Sequence, residues 1–170
     1  MAKQEFTDAI ALLKADHRTV EELFEKFEKA SSSASKQKLA RQICTELKIH
    51  TMIEEEIFYP ALRGKIEDGT LDEAYVEHDG AKVLVNDIEA ATPEDAFYDA
   101  KVSVLSEEIK HHVKEEEASK EGMFAQARQT DVDLVELRDR MMMRKQELLA
   151  EAKASGLPIA KPHAVNLLTA

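Results

Sequence analysis

At 170 residues the chain is long enough for one domain with a small appendage. Its 34 acidic residues against 23 basic ones give a formal net charge of -11, which argues against nucleic acid and anionic membrane as partners, because both need clustered positive charge. The apolar residues, 44% of the total, recur periodically rather than singly, which argues against disorder, and no apolar run is long enough to span a bilayer. The first ten residues lack the apolar stretch of a signal peptide. The single cysteine, Cys44, leaves no internal disulfide, CxxC pair or four-cysteine cluster, so a reducing cytoplasm is expected.

Few glycines and prolines and abundant Ala, Leu, Glu and Lys point to helix. The first helix is expected from about Thr7 to Lys29, with Ile10, Leu13, Val20, Phe24 and Phe27 at a 3.6-residue period. The serines from Ser31 to Ser35 mark a turn. A second helix follows from about Ser35 to Leu62, with Leu39, Ile43, Leu47, Ile53 and Ile57 as its stripe and Pro60 kinking or ending it early. Thr70 and Glu73 have capping-box spacing and open a third helix to about Ala91. Thr92 followed by Pro93 starts a fourth, running to about Arg128 and weakened by Gly122. A more polar fifth segment, Asp131 to Ala154, precedes an irregular tail to Ala170. No strand alternation or convincing repeat is apparent. The expected architecture is an all-α, antiparallel up-down-up-down four-helix bundle over residues 1–128, with a C-terminal helix and tail over 129–170.

The histidines carry the chemical signal. Four of the six are followed by glutamate at i+4, on the same helix face: His17/Glu21, His50/Glu54, His111/Glu115 and His112/Glu116. Phase against the apolar stripes turns His17, His50, His78 and His112 inward and leaves His111 beside the stripe. Counted along the helical rise from the two upper turns, these four fall within roughly 9 Å of one level, with Glu54 and Glu116 one turn below. Six polar groups in an aliphatic core need partners, and metal cations supply them. Four imidazoles and two carboxylates exceed one tetrahedral zinc site but suit two metals joined by carboxylates and a solvent oxygen. The metal ligands are therefore His17, His50, Glu54, His78, His112 and Glu116. The cofactor is a pair of non-haem iron ions with carboxylate and oxo or hydroxo bridges, manganese or zinc being the alternatives. Cys44 reads as a core residue, Tyr59 and Tyr75 as packing aromatics, and Met141, Met142 and Met143 as packing rather than ligands. His163, in a Pro-flanked tail, reads as surface.

These residues resemble the hemerythrin-like, HHE cation-binding family. The likeness rests on His17, on His50 with Glu54 and Glu55 leading to Phe58, Tyr59 and Pro60, on Glu77 and His78, and on His112 with Glu116 and Glu117 leading to Phe124. It covers about residues 7–128 and implies a di-iron four-helix bundle bridged by Glu54 and Glu116. The sequence departs from oxygen-carrying members of that family. They place a second histidine one turn from the first on the third helix, where this chain has Ala74 and Lys82. One coordination position then falls to water, Glu55, Glu108 or Glu21. The expected function is binding of, and reaction with, a small oxidant (O2, peroxide or NO) in oxidative or nitrosative stress defence, with an unidentified electron donor and no side chain assigned as catalytic. The alternative is iron or oxygen sensing, or iron buffering, without turnover. Either fits a monomer or a homodimer.

Overall fold

The computed structural model describes residues 5–167. Helix α1 spans Ala9–Lys29, capped by the Asp8 carboxylate on the Ala11 amide, and α2 spans Ser33–Ile53, capped by Ser32. Helix α2 continues through a π turn, Glu54–Phe58, into α3, Tyr59–Leu62. Helices α4 (Asp68–Ala90) and α5 (Tyr98–Glu116) complete the bundle. A short α6 (Met123–Ala127) and a long α7 (Leu134–Ala154) come after it. Packing runs from α1 to α2, α2 to α4, α4 to α5 and α5 back to α1, so the four long helices form a closed square. Among the described residues there is no strand, and no helix is long and apolar enough to cross a membrane.

The third helix opens at Asp68 with Glu67 rather than Thr70 at its N-cap, and the fourth helix differs from expectation at both ends and the second in its winding, each for a local reason. Residues 92–97 form a turn rather than the start of the fourth helix. The Asp95 carboxylate accepts from both the amide and the hydroxyl of Thr92, and Phe97 takes a left-handed φ of 67°, which no helix continues through. The fourth helix stops at Glu116, not Arg128. Gly122 then packs so closely on it that an added Cβ would lie 2.5 Å from the Ala118 carbonyl oxygen and 2.7 Å from that of Glu115. The second helix does run to Leu62, but not as a regular α-helix. Pro60 lacks an N–H and its ring would collide with the Glu56 carbonyl one α-turn back. The chain answers by widening, and the Tyr59 N–H bonds to Glu54 O, five residues back. The extra residue rotates the downstream side chains by about 100°. Ile57, expected on the stripe, is only half-buried, while Phe58 and Tyr59 are fully enclosed.

Two apolar clusters lie at opposite ends of the bundle. One joins Val20, Phe24, Ile43, Leu47, Val85, Leu105 and their neighbours, with Cys44 among them and its thiol pushed up to about 12 by burial. The other joins Ile10, Leu13, Ile53, Phe58, Leu71 and Phe124 with Leu137, Met141 and Leu148 of α7. Helix α7 thus lies across α1 and α2, with Met141 inward and Met143 outward. The tail crosses α4. Asn86 exchanges two hydrogen bonds with Ala160, and the buried Asp79 carboxylate accepts from the amides of His163, Ala164 and Val165 at 2.6–2.7 Å. His163 is exposed, as expected, but its ring stacks on Tyr75 with centroids 4.2 Å apart. Leu168–Ala170 of the expected tail lie outside the described residues.

Candidate metal centre

Between the two apolar clusters sits one polar layer holding all six expected ligands, every one buried. Helix α1 supplies His17 and α2 His50, whose Nε2 atoms lie 3.2 Å apart. Helix α4 supplies His78 and α5 His112, again with Nε2 atoms 3.2 Å apart. Two carboxylates join the pairs. Glu54 Oε2 is 3.3 Å from both His50 and His78, while Glu116 stands 3.3 Å from His17 through Oε2 and 3.4 Å from His112 through Oε1. The outcome is two overlapping ligand sets, one of His17, His50, Glu54 and Glu116, the other of Glu54, His78 and His112.

The outer nitrogens explain why these rings can bind metal. His17 Nδ1 meets Glu117 at 2.7 Å, His78 Nδ1 meets Glu55 at 2.9 Å and His112 Nδ1 meets Glu77 at 2.6 Å. His50 Nδ1 faces Asp16 at 3.6 Å, an ion-pair distance rather than a hydrogen bond. Carboxylates on Nδ1 fix the proton there and leave the Nε2 lone pairs directed inward. Two such lone pairs at 3.2 Å repel unless a proton or a metal cation lies between them. Nitrogens held about 2.0–2.1 Å from a metal stand about 3 Å apart, so the spacing fits coordination. Glu54 Oε1 and Glu116 Oε2 are also buried without hydrogen-bond partners, each orphan costing about 1–3 kcal/mol that a bound cation would recover. The donor set fits a metal pair.

Each outer acid comes from the helix before the ring it serves: α1 to α2, α2 to α4, α4 to α5, and α5 back to α1. Sequence reasoning singled out none of these acids for that role. The signal was available, because Asp16 and Glu77 immediately precede His17 and His78, and Glu55 and Glu117 immediately follow Glu54 and Glu116. Read this way, the α1–α2 hairpin repeats in α4–α5, a relation that the surrounding residues hide.

The larger correction concerns Tyr59. The π turn swings it inward, and its hydroxyl donates to Glu116 Oε1 at 2.9 Å while lying 3.2 Å from His78 Nε2 and 3.3 Å from Glu54 Oε2. It is not merely a packing aromatic. Its hydroxyl reaches His78 and both shared carboxylates. The expected candidates lie elsewhere: Glu55 is bound to His78 Nδ1 and Lys82, Glu21 pairs with Arg18 at 3.2 Å, and Glu108 belongs to neither ligand set. Tyr75 keeps its packing role, edge-on to Tyr59.

Burial opposes charge on all these groups, yet their neighbours decide the outcome. Glu116 and Glu117 outweigh desolvation at His17 and raise it to about 9, and Glu116 and Glu77 hold His112 well above its usual range. His112 and His17 in turn hold Glu116 well below the carboxylate range. Burial beside Glu116 and Glu54 raises the Tyr59 phenol well above 10. On the far side of the imidazoles lies an enclosed cavity of about 10 Å³, lined by the four histidines, Asp16 and Thr51 with Val20, Leu47, Ile109 and Val113. It has room for about one water-sized molecule.

Residues 8–125 match the model of the hemerythrin HHE cation-binding domain. The chain belongs to the hemerythrin HHE cation-binding domain family. A solved structure of an HHE domain-containing protein from Mycobacterium kansasii superposes on this hemerythrin-like domain with a TM-score of 0.72, covering 89% of this chain and 96% of that one at 21% identity. At that identity the likeness speaks for the fold. A curated relative, described as a DNA nickase of Nostoc sp. (strain PCC 7120), is 29% identical over 108 residues, which is 64% of this chain. The chain spans only 31% of that protein's length.

Proposed function

We propose that this hemerythrin-like domain holds two iron ions in the buried layer and uses them to bind and transform a small oxidant: dioxygen, peroxide or nitric oxide. The observation behind this reading is the pairing of two overlapping buried ligand sets with an adjoining cavity that has room for about one water-sized molecule. Iron bound there supplies Lewis acidity and electrons. His17, His50, Glu54 and Glu116 would hold one ion, and His78 and His112 with Glu54 the other, Glu116 standing 3.4 Å from His112 as a further ligand for it. The Tyr59 hydroxyl adds a polar group on the second side, where it holds Glu116 in place and keeps a proton available 2.9 Å from its Oε1. Val20, Leu47, Ile109 and Val113 keep bulk water from the imidazoles. This reading places the protein in oxidative or nitrosative stress defence in the cytoplasm, with a separate electron donor. A charge of -11 speaks against nucleic acid as a partner. The test is anaerobic titration of the iron-loaded protein with oxygen, peroxide and nitric oxide, followed optically. Absence of a spectral response or turnover with all three would end the proposal.

A second reading, iron sensing without turnover, draws on the ties between this layer and the C-terminal segments. Lys145 of α7 pairs with Asp16, and Lys82 joins Glu55 to Asp79, on which the tail is pinned. Sensing predicts that metal removal exposes α7 and the tail to protease while oxidants have no effect.

A further inference from the structure

Four outer acids orient the four imidazoles, and three of them are backed by a permanent cation. Lys145 backs Asp16, Lys82 backs Glu55 at 2.9 Å, and Arg18 backs Glu117 at 2.8 Å. Glu77 is the exception. Its Oε2 holds His112 Nδ1, while its Oε1 faces His111 Nε2 at 3.5 Å, with Glu115 Oε1 3.1 Å from the same nitrogen. Ligand atoms of Glu77, His111 and Glu115 lie within 4.8 Å of one another, and the His111 and Glu115 side chains are 63% and 44% exposed. Glu77 and Glu115 of this trio line a cavity of about 340 Å³ formed by α4, the end of α5 and the start of α6. Exposed Glu67, Glu73, Glu115 and Glu121 line it, as do the buried ligands His112 and Glu116, the latter with Oε2 lacking any hydrogen-bond partner.

We infer that Glu77, His111 and Glu115 form a surface capture site for a divalent cation, and that the acidic cavity beside them is the route by which metal reaches the buried layer. The inference rests on the buried layer taking metal. A histidine and two carboxylates suit a borderline divalent ion held loosely with water in its other positions. The cavity concentrates cations because its charges share one sign and its walls are protein. Glu77 is common to the capture site and to the orientation of His112, so a captured ion stands one carboxylate away from the buried ligands. At the other three corners Lys145, Lys82 and Arg18 repel an incoming cation.

The test uses the full-length metal-free protein and cobalt(II) alone, with uptake followed by stopped-flow absorbance. The variant H111N/E115Q removes two capture ligands and leaves Glu77 on His112. E25Q, on the far part of α1, controls for net charge. At low salt the capture variant is expected to load about tenfold more slowly, with the same final cobalt content, end spectrum and apoprotein melting temperature, while E25Q loads like the parent. Salt should slow the parent steeply and the variant little. An unchanged rate in the variant overturns the route, and so does a lower final content, which would make these residues part of the buried centre. A parent that takes up no cobalt overturns the metal-centre reading, and the route with it.

Discussion

The two halves of the metal layer are built to one pattern and finished differently. In each, an acid–histidine pair on one helix faces a His-x-x-x-Glu-Glu run on the next, and an aromatic ring covers the first histidine. Over His78 that ring is Tyr59, with centroids 5.4 Å apart, and over His17 it is Phe124, 5.8 Å away. One half therefore receives a hydroxyl and the other a plain ring. The outer support differs as well, since Glu77 grips His112 at 2.6 Å whereas Asp16 stands 3.6 Å from His50 and leans on Lys145 of α7. The ligands are thus symmetric and their covering is not.

The most damaging change removes what the halves share. Glu116→Ala leaves two imidazoles without their common carboxylate and is expected to abolish stable binding at both positions, measured as metal per chain. If one full equivalent survives, Glu116 is not shared. His50→Ala and His112→Ala should each remove one ion and spare the other, the comparison being cleanest by isothermal titration. Next come the outer acids. Glu77→Gln should weaken binding by about 10–100-fold, and Asp16→Asn by less, because the Asp16 contact is longer. Equal losses would erase the difference in support.

Protonation gives a further handle, in the metal-free protein. The folded-state pKa of His17 is raised from 6.5 to about 9, so its stabilisation is complete below pH 6.5 and disappears as pH rises through 9. The loss amounts to at most about 3 kcal/mol. Glu117 and Glu55 are shifted down, so their contribution is present above the ordinary carboxylate range and lost in acid. Metal-free melting temperatures should then decline from near neutrality to pH 9.5, whereas metal affinity should climb over the same interval as the proton departs. A flat melting profile between pH 6 and 9.5 contradicts the arrangement at His17. The smallest effect on metal content is expected from Tyr59→Phe, which makes the two coverings alike. Metal content should hold, and the optical spectrum of the iron-loaded protein should change. An unchanged spectrum would mean that the hydroxyl does not distinguish the halves.

Much of this layer was legible in the residues because helical phase and depth are linear in residue number. His17, His50, His78 and His112 could be placed at one level by counting from two turns, with Glu54 and Glu116 one turn below, and the structure brings all six together. Counting fails where the backbone leaves the α register. Tyr59 was misjudged because Pro60 acts backward along the chain, and the expected start at Thr92 fails because Phe97, five residues on, takes a left-handed φ that ends the turn before a helix can extend. The outer acids were missed for another reason: each serves a ring on a different helix, so no spacing within one segment reveals it. Asp79 is similar, since its partners are backbone amides from a tail with no periodicity at all.

The wide turn at Glu54–Phe58 has an implication for how such a site can change. It behaves as a rotary adjuster: one additional residue absorbed in a single turn re-aims every side chain downstream without altering the helix axis or its caps. Rewinding the same five residues as ordinary α-helix would carry the Tyr59 ring about 100° off His78, whereas a one-residue deletion there should restore ordinary winding and leave the ring in place. The identity of the group over His78 is thus set by how these five residues wind as much as by which amino acids they are.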